Sequence, residues 1–395
     1  MTENERFAWL QLAFTPYIGA ESFLVLLQQF GSAQAALSAP ADKIAALVRH
    51  KQAAESWRNA DKRALAQQSA EAALQWEMQD GCRLLLLQDD DFPEMLTQGI
   101  TAPPVLFLRG NAELLHTPSA AIVGSRHATP QAMRIAGDFG CALSEQNITV
   151  ISGMAAGIDT AAHHGALQGT GSTIAVWGTG IDRIYPQSNQ KLAYQIAEQG
   201  VIVSEFPLGT RPLAGNFPRR NRLIAGLAQA VLVVEAALES GSLITARLAG
   251  EMGREVMAIP GSIDNPHSKG CHKLIKEGAK LVECLDDILS ECPELLQKSM
   301  ESSVSAQLPT KLSTRKRANV SRENKQPALV EMPSQVVATE DGNSLLAMMG
   351  YDPIHPDLLA EKCKLATDEI YAQLTELELD GVVASMLGGR FQRIK

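Results

Sequence analysis

From about residue 118 to residue 290 the chain alternates short unbroken apolar runs with helical stretches, and most runs end in glycine or serine. The runs lie at 120–124, 148–152, 173–177, 201–204, 230–235 and 255–259. A strand that is apolar at consecutive positions must be covered on both faces, which is the condition of a parallel sheet sandwiched between helices. The intervals between runs suit right-handed crossovers. The pattern therefore predicts an α/β fold with a Rossmann-like doubly wound sheet, and places any ligand beyond the carboxyl ends of its strands.

The flanks read differently. Residues 1–75 show helical spacing and almost no strand character: Phe7, Leu10 and Phe14, then Tyr17-Ile-Gly-Ala20 as punctuation, then Phe23, Leu24, Leu27 and Phe30 up to Gly31. A small helix-hairpin-helix or sterile-alpha-motif-like domain and a plain helical bundle both fit. Runs at 84–87 and 105–108 read as short strands leading into the next domain, so the extended Rossmann-like domain is set at 80–292. Residues 299–335 turn to Ser, Lys, Arg, Gln and Pro and read as a flexible linker. Its stretch Lys311 to Lys325 holds six basic residues against Glu323, and is read first as a solvated tether and second as a weak nucleic-acid contact. Within 340–395, helices at 358–363 and 367–379 precede a hairpin of 382–386 and 391–394 around Gly388-Gly389, which is the order of a winged helix.

Composition narrows the functional classes. A chain of 395 residues implies two or three domains. No apolar run reaches the 18 or so residues that a membrane helix needs, and the start Met-Thr-Glu-Asn-Glu lacks a basic region and cleavage site, so a cytoplasmic location is expected. The six cysteines include no C-x-x-C pair, which predicts free thiols and no structural zinc. A net charge of -9 means that any nucleic-acid binding must come from a local patch.

Such a patch lies in Phe217-Pro-Arg-Arg-Asn-Arg-Leu-Ile-Ala-Gly-Leu227. Pro218 suits the first turn of a helix, and Leu223, Ile224 and Leu227 give it a buried face. Arg219 and Arg222, three apart, are expected on one side of that helix. Between 201 and 230 Glu205 is the only acid, against Arg211, Arg219, Arg220 and Arg222. Guanidinium forks match phosphate, and the free amides of a helix start add to the attraction. A solvated basic helix end is the plain reading of the same residues.

Four small-residue turns follow predicted strands: Gly124-Ser125-Arg126, Gly153-Met-Ala-Ala-Gly157-Ile-Asp159, Gly178-Thr-Gly-Ile-Asp182 and Ser240-Gly241-Ser242-Leu-Ile-Thr-Ala-Arg247, the last a helix start with free amides. Together with the arginines they describe a phosphate-lined rim. Sharper motifs fail on detail. Arg183 stands where a dinucleotide fingerprint needs its third glycine, and no G-x-x-x-x-G-K-[ST] occurs. Asp159 and His163 share a helix face and could ligate a metal, but without further ligands they read as a helix-start carboxylate paired with a histidine. His267, Cys271 and His272 fit no zinc spacing, and Ser125 is not in G-x-S-x-G. No catalytic set, metal site or cofactor is expected.

The order G-S-R, S-G-M-A-x-G-I-D-x-x-A-H, W-G-T-G-I-D-x-x-Y-P, F-P-x-R-N-R-L-I-A-G-L, E-A-x-x-x-S-G-S-L-I-T-A and I-P-G-S, with the run from Lys269 to Gly278, resembles the DNA-processing protein A family, also called Smf. The likeness runs densely over about 90–290, including Asp91-Phe-Pro93 and Pro103-Pro104. It implies a binding protein rather than an enzyme: one that holds single-stranded DNA in a basic pocket of the Rossmann-like domain, forms a homodimer through that domain, and helps load RecA recombinase during natural transformation and recombination. Carried onto this chain, Ser125 and Arg126 would grip a phosphate, Arg219, Arg220 and Arg222 would line the pocket, and Phe217 would stack on a base. Gly124, Gly153, Gly157 and Asn221 belong to the same motifs, and Lys269, Ser240, Gly241 and Ser242 would stand at the rim.

The second helix of the expected winged helix carries Asp368, Glu369, Glu376 and Glu378, with Asp380 just beyond and no Lys or Arg. Phosphate would repel it, so a protein-contact or regulatory role is expected over duplex reading, with Arg390, Arg393 and Lys395 of the wing left for backbone contact. The rival function is a nucleotide hydrolase of the phosphoribohydrolase, lysine-decarboxylase-like type. Those enzymes carry P-G-G-x-G-T-x-x-E, whereas this chain has 239–245 without the glycine run and Leu248 in place of the acid.

Overall fold

In the computed structural model, which describes residues 1–48, 50–296, 344–386 and 389–393, six helices come first: α1 (Glu3–Ala13), α2 (Ala20–Phe30), α3 (Ala33–Leu37), α4 (Ala41–Leu47), α5 (Lys51–Arg58) and α6 (Ala60–Glu77). Three of them, α1, α3 and α6, start on side-chain caps, with Thr2, Ser32 and Asn59 accepting from the amides of Glu5, Ala35 and Lys62. Gly31, at φ 78°, ends α2 in the left-handed cap that glycine adopts without strain. Trp9 and Phe23 meet edge to face at 4.8 Å in the middle of this bundle. The bundle is continuous with the sheet that follows. Phe14 and Trp76 pack on Phe107 at 5.9 and 5.3 Å, and the Trp9 indole donates to the Pro104 carbonyl at 2.8 Å.

The next elements are β1 (Cys82–Leu86), β2 (Val105–Gly110), β3 (Ser119–Val123), α7 (Pro130–Glu145), β4 (Thr149–Ser152), α8 (Ile158–Ala166), β5 (Thr173–Val176), α9 (Gln190–Gln199) and β6 (Val201–Ser204). After them come α10 (Asn216–Leu227), β7 (Ala230–Val233), α11 (Ser242–Glu251), β8 (Glu255–Ala258), α12 (Lys269–Lys276), β9 (Lys280–Leu281) and α13 (Leu285–Glu291). They form one nine-stranded sheet in the order β1-β2-β6-β5-β4-β3-β7-β8-β9. Strands β3 to β9 are parallel, as the apolar runs predict.

The runs expected as a lead-in, 84–87 and 105–108, are instead the antiparallel edge of this sheet, with β2 paired to β6. Alternation explains why they join it. Leu84, Leu86, Val105 and Phe107 face the helical bundle, while Leu85, Leu106 and Leu108 belong to the core on the other side. The same period-2 division runs through β3, where Ala121 and Val123 pack under α10 and α11, and Ala120 and Ile122 under α7 and α8. Strand β3 sits between β4 and β7, the point at which the chain reverses its direction of travel across the sheet.

Residues 344–393 make a separate unit of α14 (Ser344–Met349), α15 (Pro356–Cys363), α16 (Thr367–Leu379) and the hairpin β10 (Val383–Met386) with β11 (Arg390–Arg393). Leu359, Ile370, Leu374, Val383 and Phe391 are its core. Helix α15 starts two residues before the expected 358, because His355 caps it and Pro356 suits its first position. The linker 299–335 with its basic stretch 311–325, and Gly388, Ile394 and Lys395 of the wing, lie outside the described residues. All six cysteines are free thiols. No helix of the described residues is long and apolar enough to cross a membrane.

Candidate nucleic-acid interface

Beyond the carboxyl ends of β3 and β7 two turns face one another. The Ser125 amide donates to the Glu235 carbonyl at 2.7 Å, which ties the turn 124–126 to the end of β7. Between that turn and the turn 237–242 lies a cavity of about 490 Å³, lined by Gly124, Ser125, Arg126, Arg220, Asn221, Ser240, Gly241 and Ser242 among others. This is the crevice at a topological switch point where open α/β sheets bind ligands. The Glu235 carboxylate is spent on the fold: it accepts from the Thr129 amide and hydroxyl at 3.1 and 2.8 Å, at the start of α7.

Arg220 forms the floor. It is 4% exposed, and its guanidinium donates to the carbonyls of Gly153 and Val176, the latter at 2.7 Å, and to Asn221 Oδ1 at 3.0 Å. Gly153 is required there, because a Cβ would overlap the guanidinium. Burial draws the Arg220 pKa down to about 10, against the pull of the Asp159 carboxylate and with the help of Arg126, so the group remains cationic near neutral pH. Asn221 donates onward to the Gly241 carbonyl at 3.3 Å. Burial pushes the Asp159 carboxyl above the usual carboxylate range, opposed by Arg220 and by the amides of Ala155 and Gly153 at 3.3 and 3.1 Å. Gly157 starts α8 at φ +78°, where its missing Cβ lets the Ser125 and Arg126 carbonyls approach.

Behind the floor His163 is fully buried. Its Nδ1 meets the Thr173 hydroxyl at 2.7 Å, and that hydroxyl donates to the Val150 carbonyl, so the imidazole proton is fixed on Nδ1. Nε2 has no partner. Burial, then His164 and Arg220, hold the His163 pKa down to about 3. The pairing of Asp159 with His163 expected from their spacing is therefore absent, since each has other partners.

The rim is open. Arg126 is exposed, and its guanidinium carbon lies 5.2 Å from the centre of the half-buried Phe217 ring. Arg219, expected in the pocket wall, is also exposed but does not line the cavity: it lies 5.2 Å over the ring of Phe206, just past the end of β6, and Phe217 likewise stands outside the lining. Both arginines keep their charge outward on an aromatic support, a geometry that leaves guanidinium N–H groups free for phosphate.

Two of the expected rim cations are used elsewhere. Arg222 is turned from Arg219: it bonds the Thr101 carbonyl at 2.8 Å and forms an ion pair with Glu205, whose side chain is 5% exposed. The lone acid of 201–230 thus occupies one arginine. Lys269 donates to the Ile263 carbonyl and does not line the cavity. Conversely, His127 lines it without having been singled out, His267 lines it although the sequence raises it only as a candidate metal ligand, and Thr245 of the fourth motif lines it without having been named as a contact. Thr245 was legible one turn into α11, but the histidines come from loops whose course the sequence does not specify.

In the separate C-terminal unit, Asp368 and Glu369 stand exposed on the first turn of α16, and Glu376 and Asp380 are exposed toward its end. The Glu378 carboxyl is held below its usual range by the hydroxyl and amide of Ser385. No basic side chain lies on this helix.

An open α/β sheet whose switch-point crevice is lined by Arg220 and Arg126 defines a protein of Rossmann-like fold with a cationic crevice. The chain belongs to the DNA recombination-mediator protein A family, whose profile matches residues 83–293. Profiles described as the DprA-like N-terminal HHH domain and the DprA winged helix domain match residues 3–56 and 330–389. Protein Smf of Escherichia coli K12 is 40% identical over 322 residues, covering 81% of this chain and 80% of that protein. DNA processing protein DprA of Streptococcus pneumoniae is 48% identical over 203 residues, covering 51% of this chain and 72% of that one. The X-ray structure of the Streptococcus pneumoniae DNA processing protein A superposes with a TM-score of 0.61 at 37% identity, covering 72% of this chain and 97% of that one.

Proposed function

We propose that the chain binds single-stranded DNA, without strong sequence preference, along the rim of this crevice, and that it does so as a binding protein rather than an enzyme. The observation that carries the reading is the exposed Arg126 guanidinium resting on Phe217 at the mouth of a cavity floored by Arg220. Phosphate grip and ring lie side by side, as a sequence-tolerant single-strand site requires. Membership in a family of DNA recombination mediators supports the same ligand. The enzymatic rival finds less support. Asp159 is taken up by backbone amides, Glu235 by Thr129, and Leu248 packs on the apolar core where a hydrolase of that type would need an acid. We further propose, from the resemblance of its motifs, that the protein acts as a cytoplasmic homodimer and helps load RecA recombinase during natural transformation and recombination. The acidic α16 supports a protein-contact role for the C-terminal unit.

Anisotropy titrations with oligo-dT test the central claim. The single strand should bind more tightly than duplex of equal length, and affinity should fall steeply with salt. Arg126→Ala should weaken binding and lower the magnitude of the salt slope by about 0.7, the share of one phosphate contact on a single strand. Equal binding by wild type and variant removes the pocket as the site.

A further inference from the structure

Phe217, the ring expected to stack on a base, is poorly placed to do so alone. It is half-buried, one face carries Arg126 at 5.2 Å, and its edge lies over Gly178, where even a Cβ would stand 2.9 Å from Cδ1. Next to it stands a second ring. Tyr185 lies 5.6 Å from Phe217, centre to centre, at an interplanar angle of 41°, and is 44% exposed.

We infer that Tyr185 is the base-stacking platform of this interface, with Phe217 as the support that both Tyr185 and Arg126 pack against. The inference rests on the single-strand reading above and names which ring meets the base.

Three observations carry it. The first is spacing. Stacked bases repeat about every 3.4 Å along a strand, so a base held between two parallel rings needs about twice that. Rings 5.6 Å apart and inclined by 41° leave no such slot, so a base must lie on an outer face, and Tyr185 is the ring with exposed surface.

The second is rigidity, which limits the ordering cost of stacking. The turn after β5 that carries Tyr185 is pinned on both sides: the Thr179 hydroxyl donates to the Arg183 carbonyl at 2.7 Å, and the Gly209 amide donates to the Asp182 carboxylate at 2.8 Å. Ile181 is buried and Ile184 packs beside it against the core, so the exposed tyrosine rides on a turn anchored by its neighbours.

The third is chemistry. Arg126 and Tyr185 both pack on the Phe217 ring, a cation and an aromatic face sharing one support. A strand whose phosphate meets Arg126 therefore runs beside the aromatic pair on which Tyr185 is the exposed ring. Stacking uses the π-face that every base presents, so this arrangement predicts tolerance of sequence and dependence on the presence of a base.

The test compares oligo-dT with an abasic strand of the same length and phosphate count, titrated against wild type, Tyr185→Ala, Tyr185→Phe and Arg126→Ala. Wild type should prefer oligo-dT. Tyr185→Ala should lose about ten- to a hundredfold on oligo-dT and nothing on the abasic strand. Tyr185→Phe should restore the preference, because the ring and not the hydroxyl carries it. Arg126→Ala should weaken both strands alike. Unchanged oligo-dT binding by Tyr185→Ala overturns the inference, and so does an equal loss on both strands, which would mark a structural role. If Arg126→Ala behaves as expected while Tyr185→Ala does not, the single-strand reading stands and only the stacking assignment fails. If wild type binds neither strand, both fail together.

Discussion

Arg220 and Arg126 line one cavity and differ in almost everything else. Arg220 is buried, with its N–H groups given to Gly153, Val176 and Asn221. Arg126 is exposed and touches the protein through an aromatic face. The floor of the crevice is therefore part of the fold, and only the rim is free to take a ligand. A cluster of arginines in a sequence is not a cluster of binding groups. Burial and partners divide it into cations that hold the cavity open and cations that face outward.

The sharpest way to break this division is to remove the floor. Arg220→Met keeps much of the volume but removes the guanidinium donor to the Gly153 and Val176 carbonyls and the counter-charge of Asp159. Breaking a buried charge network of this kind costs about 3–5 kcal/mol. Trp9, Trp57, Trp76 and Trp177 all lie within residues 1–296, so urea unfolding followed by tryptophan fluorescence reports on the unit that contains the floor. A loss within about 0.5 kcal/mol, the range of ordinary surface changes, would move Arg220 into the same class as Arg126.

A smaller effect should appear in acid. The pKa of His163 is held at about 3 in the folded chain against an ordinary 6.5. Between those values the unfolded chain binds a proton that the folded chain does not, so stability is complete above about 6.5 and falls as the pH drops below it. The slope approaches about 1.4 kcal/mol per pH unit. Taking wild type from pH 7.5 to 5.5 should therefore cost about 1.4 kcal/mol through this group, and His163→Gln should lack that share of the loss. Other titrating groups are common to both proteins, so the difference isolates the imidazole. Identical pH dependence in the two would mean that the floor tolerates charge.

The sheet was legible because each apolar run has to be buried on both faces, and 201–204 and 367–379 coincide with β6 and α16. Other strand ends were read too far: Gly124, Trp177, Glu235 and Ile259 close the apolar runs but lie past the ends of β3, β5, β7 and β8, in the turns that follow them. The antiparallel edge was not legible, because strand direction depends on how the loop between β2 and β3 turns, not on the apolar pattern of β2. The fate of each arginine was hidden for a related reason. Arg219, Arg220 and Arg222 are neighbours in sequence. Their partners are a ring at 206, a carbonyl at 153 and a carboxylate at 205, brought together by the sheet. Pattern finds the helix and its charge but not what each side chain meets.

The finest test of the division therefore compares two arginines on the same helix. Arg219 is exposed over Phe206, and Arg222 is held by Glu205 and Thr101. If the rim alone takes phosphate, Arg219→Ala should lower the magnitude of the salt slope for oligo-dT by about 0.7 and leave unfolding unchanged. Arg222→Ala should do the reverse, leaving the slope alone and lowering stability, because it strands the buried Glu205 carboxylate. The two substitutions remove the same charge three residues apart, so bulk electrostatics would predict the same change in slope for both. Equal slope changes would show that the crevice attracts DNA through its overall potential, and that the split between floor and rim has no bearing on binding.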